Sequence, residues 1–79
     1  MNKNITLADL NPGQKAEITS LRLSGSIRRR LQDIGAIEGT KVECLFRSPM
    51  SDPVAYQIRG SVIALRYEDA ERIKVKNVR

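Results

Sequence analysis

Apolar and polar residues alternate along most of this chain in short stretches, broken at close intervals by turn signals. Gln14 to Leu23 predicts a first strand, with Ala16 and Ile18 on one face and Lys15, Glu17 and Thr19 on the other. Asn11-Pro12-Gly13 ahead of it is a turn in which Pro presets φ and Gly supplies φ > 0. Lys41 to Ser48 predicts a second strand whose Val42, Cys44 and Phe46 share a face. Ser48 to Pro53 is a loop, because its prolines lack a ladder donor. Val54, Tyr56 and Ile58 resume the alternation. Arg59-Gly60 is a tight hairpin turn, and Ser61 to Leu65 is its return arm. Ile73 and Val75 close the set, with Lys74 and Lys76 toward water.

Helical spacing enters at three places. Thr6 to Leu10 reads as a short helical turn, with Thr6 and Asp9 spaced as in a capping box. A helix starts at Ser24-Gly25-Ser26, carries Ile27, Leu31 and Ile34 as one apolar stripe, and ends at Gly35. Glu38-Gly39 makes a second turn, and Tyr67 to Glu71 can form one helical turn. Ile27 and Ile34 are expected in the core. Leu31 is where packing and docking overlap, since a short helix across a small barrel leaves part of its stripe outside. The expectation is a mainly β fold: a small barrel of five to six short strands with one inserted short α-helix, forming one domain over residues 1–79.

Composition narrows the function. The chain has 79 residues, 41% of them hydrophobic and 29% charged, so it can bury a modest core and has little room for a deep cavity. A lone cysteine, Cys44, cannot form an internal disulfide, which fits a reducing, cytoplasmic setting. Apolar runs are no longer than stretches such as Val62-Ile63-Ala64-Leu65, against about 20 residues for a spanning helix and about 7–15 for a signal-peptide core. Met1-Asn2-Lys3-Asn4 offers neither. A net charge of +5 favours acidic partners. Phe46, Tyr56 and Tyr67 are the only aromatic residues, too few for the stacking platforms of single-strand binders.

No catalytic constellation is expected. The chain has no histidine, no nucleophile elbow and no Gly-rich phosphate loop, and Cys44 has no base to activate it. Cys44 reads as a small buried hydrophobe. Glu43, Asp52 and Asp33 could supply oxygen ligands, but at no site-like spacing, so neither a metal site nor a cofactor is expected. Partner binding is the remaining chemistry. Arg28, Arg29 and Arg30, in the first turn if the helix begins at Ser26, would oppose the macrodipole. They form either a basic face for an anionic partner or a solvated surface. The loop with Pro49, Met50 and Asp52 is either a binding loop or a plain connection. Arg47, Arg59 and Arg66 add charge at strand ends.

Two stretches, Ile27 to Val42 and Ser48 to Arg66, resemble the signatures of the FeoA family, ferrous iron transport protein A. Leu7 to Gln14, Asp69-Ala70 and Ile73-Lys74-Val75 are similar as well, so the likeness covers nearly the whole chain. Glu38 departs from the pattern, standing where the family commonly has Pro before Gly-Thr. The resemblance implies an SH3-like barrel, like that ending the repressors of the diphtheria toxin repressor type. It also implies a cytoplasmic accessory of ferrous iron uptake that binds the cytoplasmic GTPase region of the FeoB permease. Arg28, Arg29, Arg30 and Leu31 with Pro49, Met50 and Asp52 are then the expected partner face. A metal-responsive module and a basic barrel binding nucleic acid are the alternatives.

Overall fold

Alternation decides which face of each strand is buried, and the computed structural model, which describes residues 5–50 and 52–78, assembles those faces around one core. Six strands form one antiparallel sheet: β1 (Ile5–Thr6), β2 (Lys15–Leu21), β3 (Lys41–Arg47), β4 (Val54–Ile58), β5 (Ser61–Leu65) and β6 (Ile73–Asn77). Their order is β1-β6-β2-β3-β4-β5. A 3₁₀ turn (Leu7–Asp9) follows β1, helix α1 (Gly25–Asp33) joins β2 to β3, and a one-turn helix α2 (Tyr67–Ala70) joins β5 to β6. The expectation for residues 1–4 lies outside the described residues. Among those described, no helix is long and apolar enough to cross a membrane.

The core takes alternate residues from successive strands: Ala16 and Ile18, Val42 and Cys44, Tyr56 and Ile58, Ile63 and Leu65, Ile73 and Val75. Burying one such aliphatic side chain is worth about 1.5–3 kcal/mol, so these alternations hold the register. The outer face carries opposite charges on neighbouring strands, as in the rung Lys76–Glu17–Lys41 across β6, β2 and β3. Two turns behave as their residues require. Gly13 sits at φ +91° and Gln14 N–H closes the turn on Asn11 C=O at 2.9 Å. Arg59 and Gly60 are both left-handed, at φ +51° and +83°, the geometry of a two-residue hairpin that follows the strand twist.

Three expectations need correction. The first strand ends at Leu21, not Leu23; Arg22 N–H makes a last bond to Arg72 C=O at 2.9 Å, after which Leu23 turns into the core. Phe46 does not share the face of Val42 and Cys44. The β3–β4 register shifts between Cys44 and Phe46, so the extra residue reverses the alternation and leaves Phe46 60% exposed. Within the helical stripe the ranking inverts: Leu31 is 0% exposed, while Ile27 and Ile34 are half-buried at the core margin.

Side chains tie the far parts of the sheet order together. The hydroxyl of Tyr56, in β4, donates to Leu7 C=O at 3.0 Å in the interior, and Arg47 Nη2 donates to Leu10 C=O at 2.8 Å. Both anchor the 3₁₀ segment, whose own start is fixed by Thr6 N–H donating to Asp9 Oδ2 at 2.9 Å. Burial, with a smaller contribution from Cys44, pushes the Tyr56 hydroxyl up to about 12. The neutral phenol is therefore favoured in the folded chain. Its contribution to stability is complete below the ordinary tyrosine value of about 10 and is lost as pH rises toward 12. Tyr56→Phe should cost about 1–3 kcal/mol by orphaning the Leu7 carbonyl. Urea unfolding should show wild-type stability falling between pH 10 and 12, and a smaller fall in the variant.

Candidate functional site

Helix α1 begins at Gly25, with Ser24 at the N-cap position. The arginines therefore start at the fourth helical residue, and Arg30 lies in the last turn, where the dipole favours a cation. The expected conflict with the dipole is thus confined to the neighbourhood of Arg28, and Arg28 has a structural partner. Its Nη1 donates to the carbonyls of Leu21 and Leu23, each at 3.3 Å. These carbonyls lie at the end of β2 and just beyond it, past the last backbone bonds on this side, which join Ile18 to Gly39 and Thr40. Arg28 satisfies acceptors that the sheet leaves over, a role invisible without the strand ends. Arg29 and Arg30 stay exposed.

Leu31 is withdrawn from the partner face, because a side chain with no exposed surface has none to offer. The exposed apolar residue near Arg28 is instead Ile37. It is exposed, and with Arg28, Gln32, Leu21 and Glu38 it lines a groove of about 330 Å³ between α1 and β2. Alternation does not single it out, since Ile37 lies in the irregular stretch before the Glu38–Gly39 turn. That turn closes with Thr40 N–H on Ile37 C=O at 3.0 Å, and the Thr40 hydroxyl both accepts from Ile37 N–H and donates to Gly35 C=O, each at 3.1 Å. Gly35 sits at φ +85°, where a side chain is strained, and a Cβ there would lie 2.7 Å from Cδ of Arg59, whose side chain would have to shift. The Arg59 stem thus covers the end of α1, placing a cation where the helix carbonyls point.

The loop after β3 presents Pro49 and Met50, the latter 85% exposed; Ser51 is outside the described residues. Asp52 is engaged: its Oδ1 accepts from Tyr67 N–H at 2.8 Å, so a loop carboxylate caps α2. Among the described residues no hydrogen bond or ion pair joins this loop to α1; the loop is tied to α2, and the helix to β2. Among the described residues, also, no group of three or more acidic or Cys side chains is placed to hold a metal ion, so Glu43, Asp52 and Asp33 stay apart. Burial pushes the Cys44 thiol up, against the direction an activated nucleophile needs.

These assignments separate the arginines by experiment. Arg28→Ala should lose about 1–2 kcal/mol of stability, while Arg29→Ala and Arg30→Ala should stay within about 0.5 kcal/mol of wild type. Leu31→Ala should cost about 2–5 kcal/mol. Chemical denaturation of the four variants checks all of these values together.

With the geometry in place, the relatives fall into line. The FeoA domain model matches residues 5–77. A fusion protein of Fe(2+) transport protein A and the Fe(2+) transporter FeoB from Porphyromonas gingivalis is 33% identical over 70 residues, which cover 89% of this chain and only 8% of the fusion. The solution structure of the FeoA protein from Chlorobium tepidum has a TM-score of 0.88 at 33% identity, covering 95% of this chain and 71% of that one. A zinc complex of Stenotrophomonas maltophilia FeoA, a prokaryotic SH3 domain protein, has a TM-score of 0.77 at 28% identity, covering 91% and 89% respectively. The family match and the backbone similarity agree, and the chain belongs to the FeoA family.

Proposed function

We propose that this chain is an accessory of ferrous iron uptake in the cytoplasm, acting by binding the cytoplasmic GTPase region of a FeoB-type permease rather than by catalysis. The supporting observation is the fusion relative, in which a segment like this chain is joined to a FeoB transporter. Covalent fusion fixes two partners at high effective concentration, the arrangement that a weak binding surface benefits from most. A chain with no histidine, a buried thiol and no acidic cluster among its described residues suits a binder.

The surface offered is the outward side of α1, where Arg29 and Arg30 are exposed, with Ile37 exposed in the adjoining groove beside Arg28. Pro49 and Met50 form a second exposed element for the same partner. Arg28 and Asp52 position these elements through their own hydrogen bonds. A net charge of +5 steers an acidic surface toward this side, and charges at the rim of such a contact act mainly on the association rate.

The double variant Arg29→Glu/Arg30→Glu should unfold like wild type and associate with the soluble cytoplasmic domain of the permease at least about tenfold more slowly at low salt. The difference should shrink at physiological ionic strength. Surface plasmon resonance at the two salt concentrations, with thermal unfolding in parallel, measures this. Equal association rates for a folded variant would place the contact elsewhere on the barrel.

A further inference from the structure

The outer face of the sheet separates its charged residues from its apolar ones. Register places Lys76, Glu17 and Lys41 in one row across β6, β2 and β3, and Lys15, Glu43, Gln57 and Val62 in the next, across β2 to β5. Beyond them lies the row Phe46–Ala55–Ala64 on β3, β4 and β5. Lys74 alternates with the buried Ile73 and Val75 as Lys76 does. Arg59, in the hairpin turn, shares a shallow groove of about 310 Å³ with Lys15 and Lys41. Five cations thus stand against two carboxylates, Glu17 and Glu43, on one face of a chain whose net charge is +5. Among the described residues Lys15, Lys41 and Arg59 form no ion pair, although Glu43 stands directly opposite Lys15. The apolar end exposes large side chains, Phe46 by 60% and Val62 by 62%.

We propose that this face adsorbs to the surface of an anionic lipid bilayer. The two halves of the face match the two layers of that interface: phosphate headgroups neutralise the cations, and the apolar boundary beneath them takes Phe46 and Val62. A nucleic acid would meet the cations equally well but would offer the apolar half only its bases. Phe46 is the sole aromatic ring on this face, since Tyr56 is buried and Tyr67 belongs to α2. A protein partner here would need an acidic half and an apolar half in matching order, whereas an anionic bilayer presents both everywhere. The cations are spread over three strands and a turn rather than gathered in a pocket, and attraction to a charged plane needs no pocket. Each Lys or Arg near such a surface strengthens binding about fivefold, so an excess of about three gives a preference for anionic over neutral vesicles on the order of a hundredfold. Such attachment is reversible and weakens as salt screens it. The contact uses no residue of α1 and stands apart from the permease reading.

Co-sedimentation of the chain with vesicles measures this, comparing phosphatidylcholine alone with phosphatidylcholine carrying about one-third phosphatidylserine. Binding should favour the anionic vesicles at least about tenfold and should fall steadily as salt is raised. Two double variants separate this face from net charge. Lys15→Gln/Lys41→Gln should bind at least about tenfold more weakly than wild type, whereas Arg29→Gln/Arg30→Gln, which removes the same charge from α1, should lose less than about threefold. Both should unfold thermally near wild type. The chain has no tryptophan, so Phe46→Trp reports on the apolar half; its emission should shift to the blue on anionic vesicles and stay fixed with duplex DNA. Equal binding to the two vesicle types would overturn the proposal, as would equal losses in the two double variants or an unshifted Phe46→Trp emission on anionic vesicles. Binding to duplex DNA at matched salt, with none to vesicles, would overturn it by assigning the cations to nucleic acid.

Discussion

The bond from the Tyr56 hydroxyl to the Leu7 carbonyl joins parts of the chain that the sheet alone leaves separate. β1 and β5 stand at opposite ends of the strand order, and Tyr56 sits in β4 next to one end while Leu7 directly follows the other. Tyr56 is the largest fully buried side chain, so its ring occupies the middle of the core while its polar tip fixes the 3₁₀ segment. A buried phenol without an acceptor would cost about as much as the bond contributes, and a buried carbonyl without a donor likewise. Each group is tolerable only because of the other. The position of Leu7, and with it Leu10 and the Arg47 contact, follows from that pairing.

Most strands were legible because they depend on local information. The Arg59–Gly60 hairpin is set by two residues that accept φ > 0, and the buried faces of β2, β4, β5 and β6 follow from alternation. What was not legible depends on neighbours distant in sequence. Nothing in Val42-Glu43-Cys44-Leu45-Phe46 announces a bulge; the offset exists only against β4, and it turned an expected core ring outward. Ile27, Leu31 and Ile34 have equal claims by spacing. The tilt of α1 on the sheet buries the middle one completely and leaves the others at the margin. The FeoA resemblance supplied the SH3-like topology, which periodicity alone could narrow only to a small barrel.

The same distinction governs the charges. A run of three arginines looks like a single feature in sequence, yet the fold divides it. Arg28 neutralises two backbone acceptors at the end of β2 and just beyond it, while Arg29 and Arg30 remain in solvent. Arg47 is likewise occupied, with the Leu10 carbonyl, the stem of the exposed Arg59 lies against Gly35, and Lys76 lies 3.8 Å from Glu17. Asp52 caps a helix on another element. Two of the fourteen cations, Arg28 and Arg47, are thus engaged with backbone groups that a small sheet with a crossing helix leaves unpaired. The cations left over set a long-range field more than they define a pocket.

The two ends of the sheet are treated differently. Among the described residues β1 spans Ile5–Thr6, and the chain turns at once into a 3₁₀ segment pinned by Asp9, Tyr56 and Arg47, which covers this edge. β5 has none of these devices, although a single lysine at Val62 would blunt it without touching the core. Stability does not account for the omission, since Val62 and Ala64 contribute little to the interior. In a protein this small binding falls to exposed surface, and the outward side of α1 with the Pro49–Met50 loop is the surface proposed for the permease.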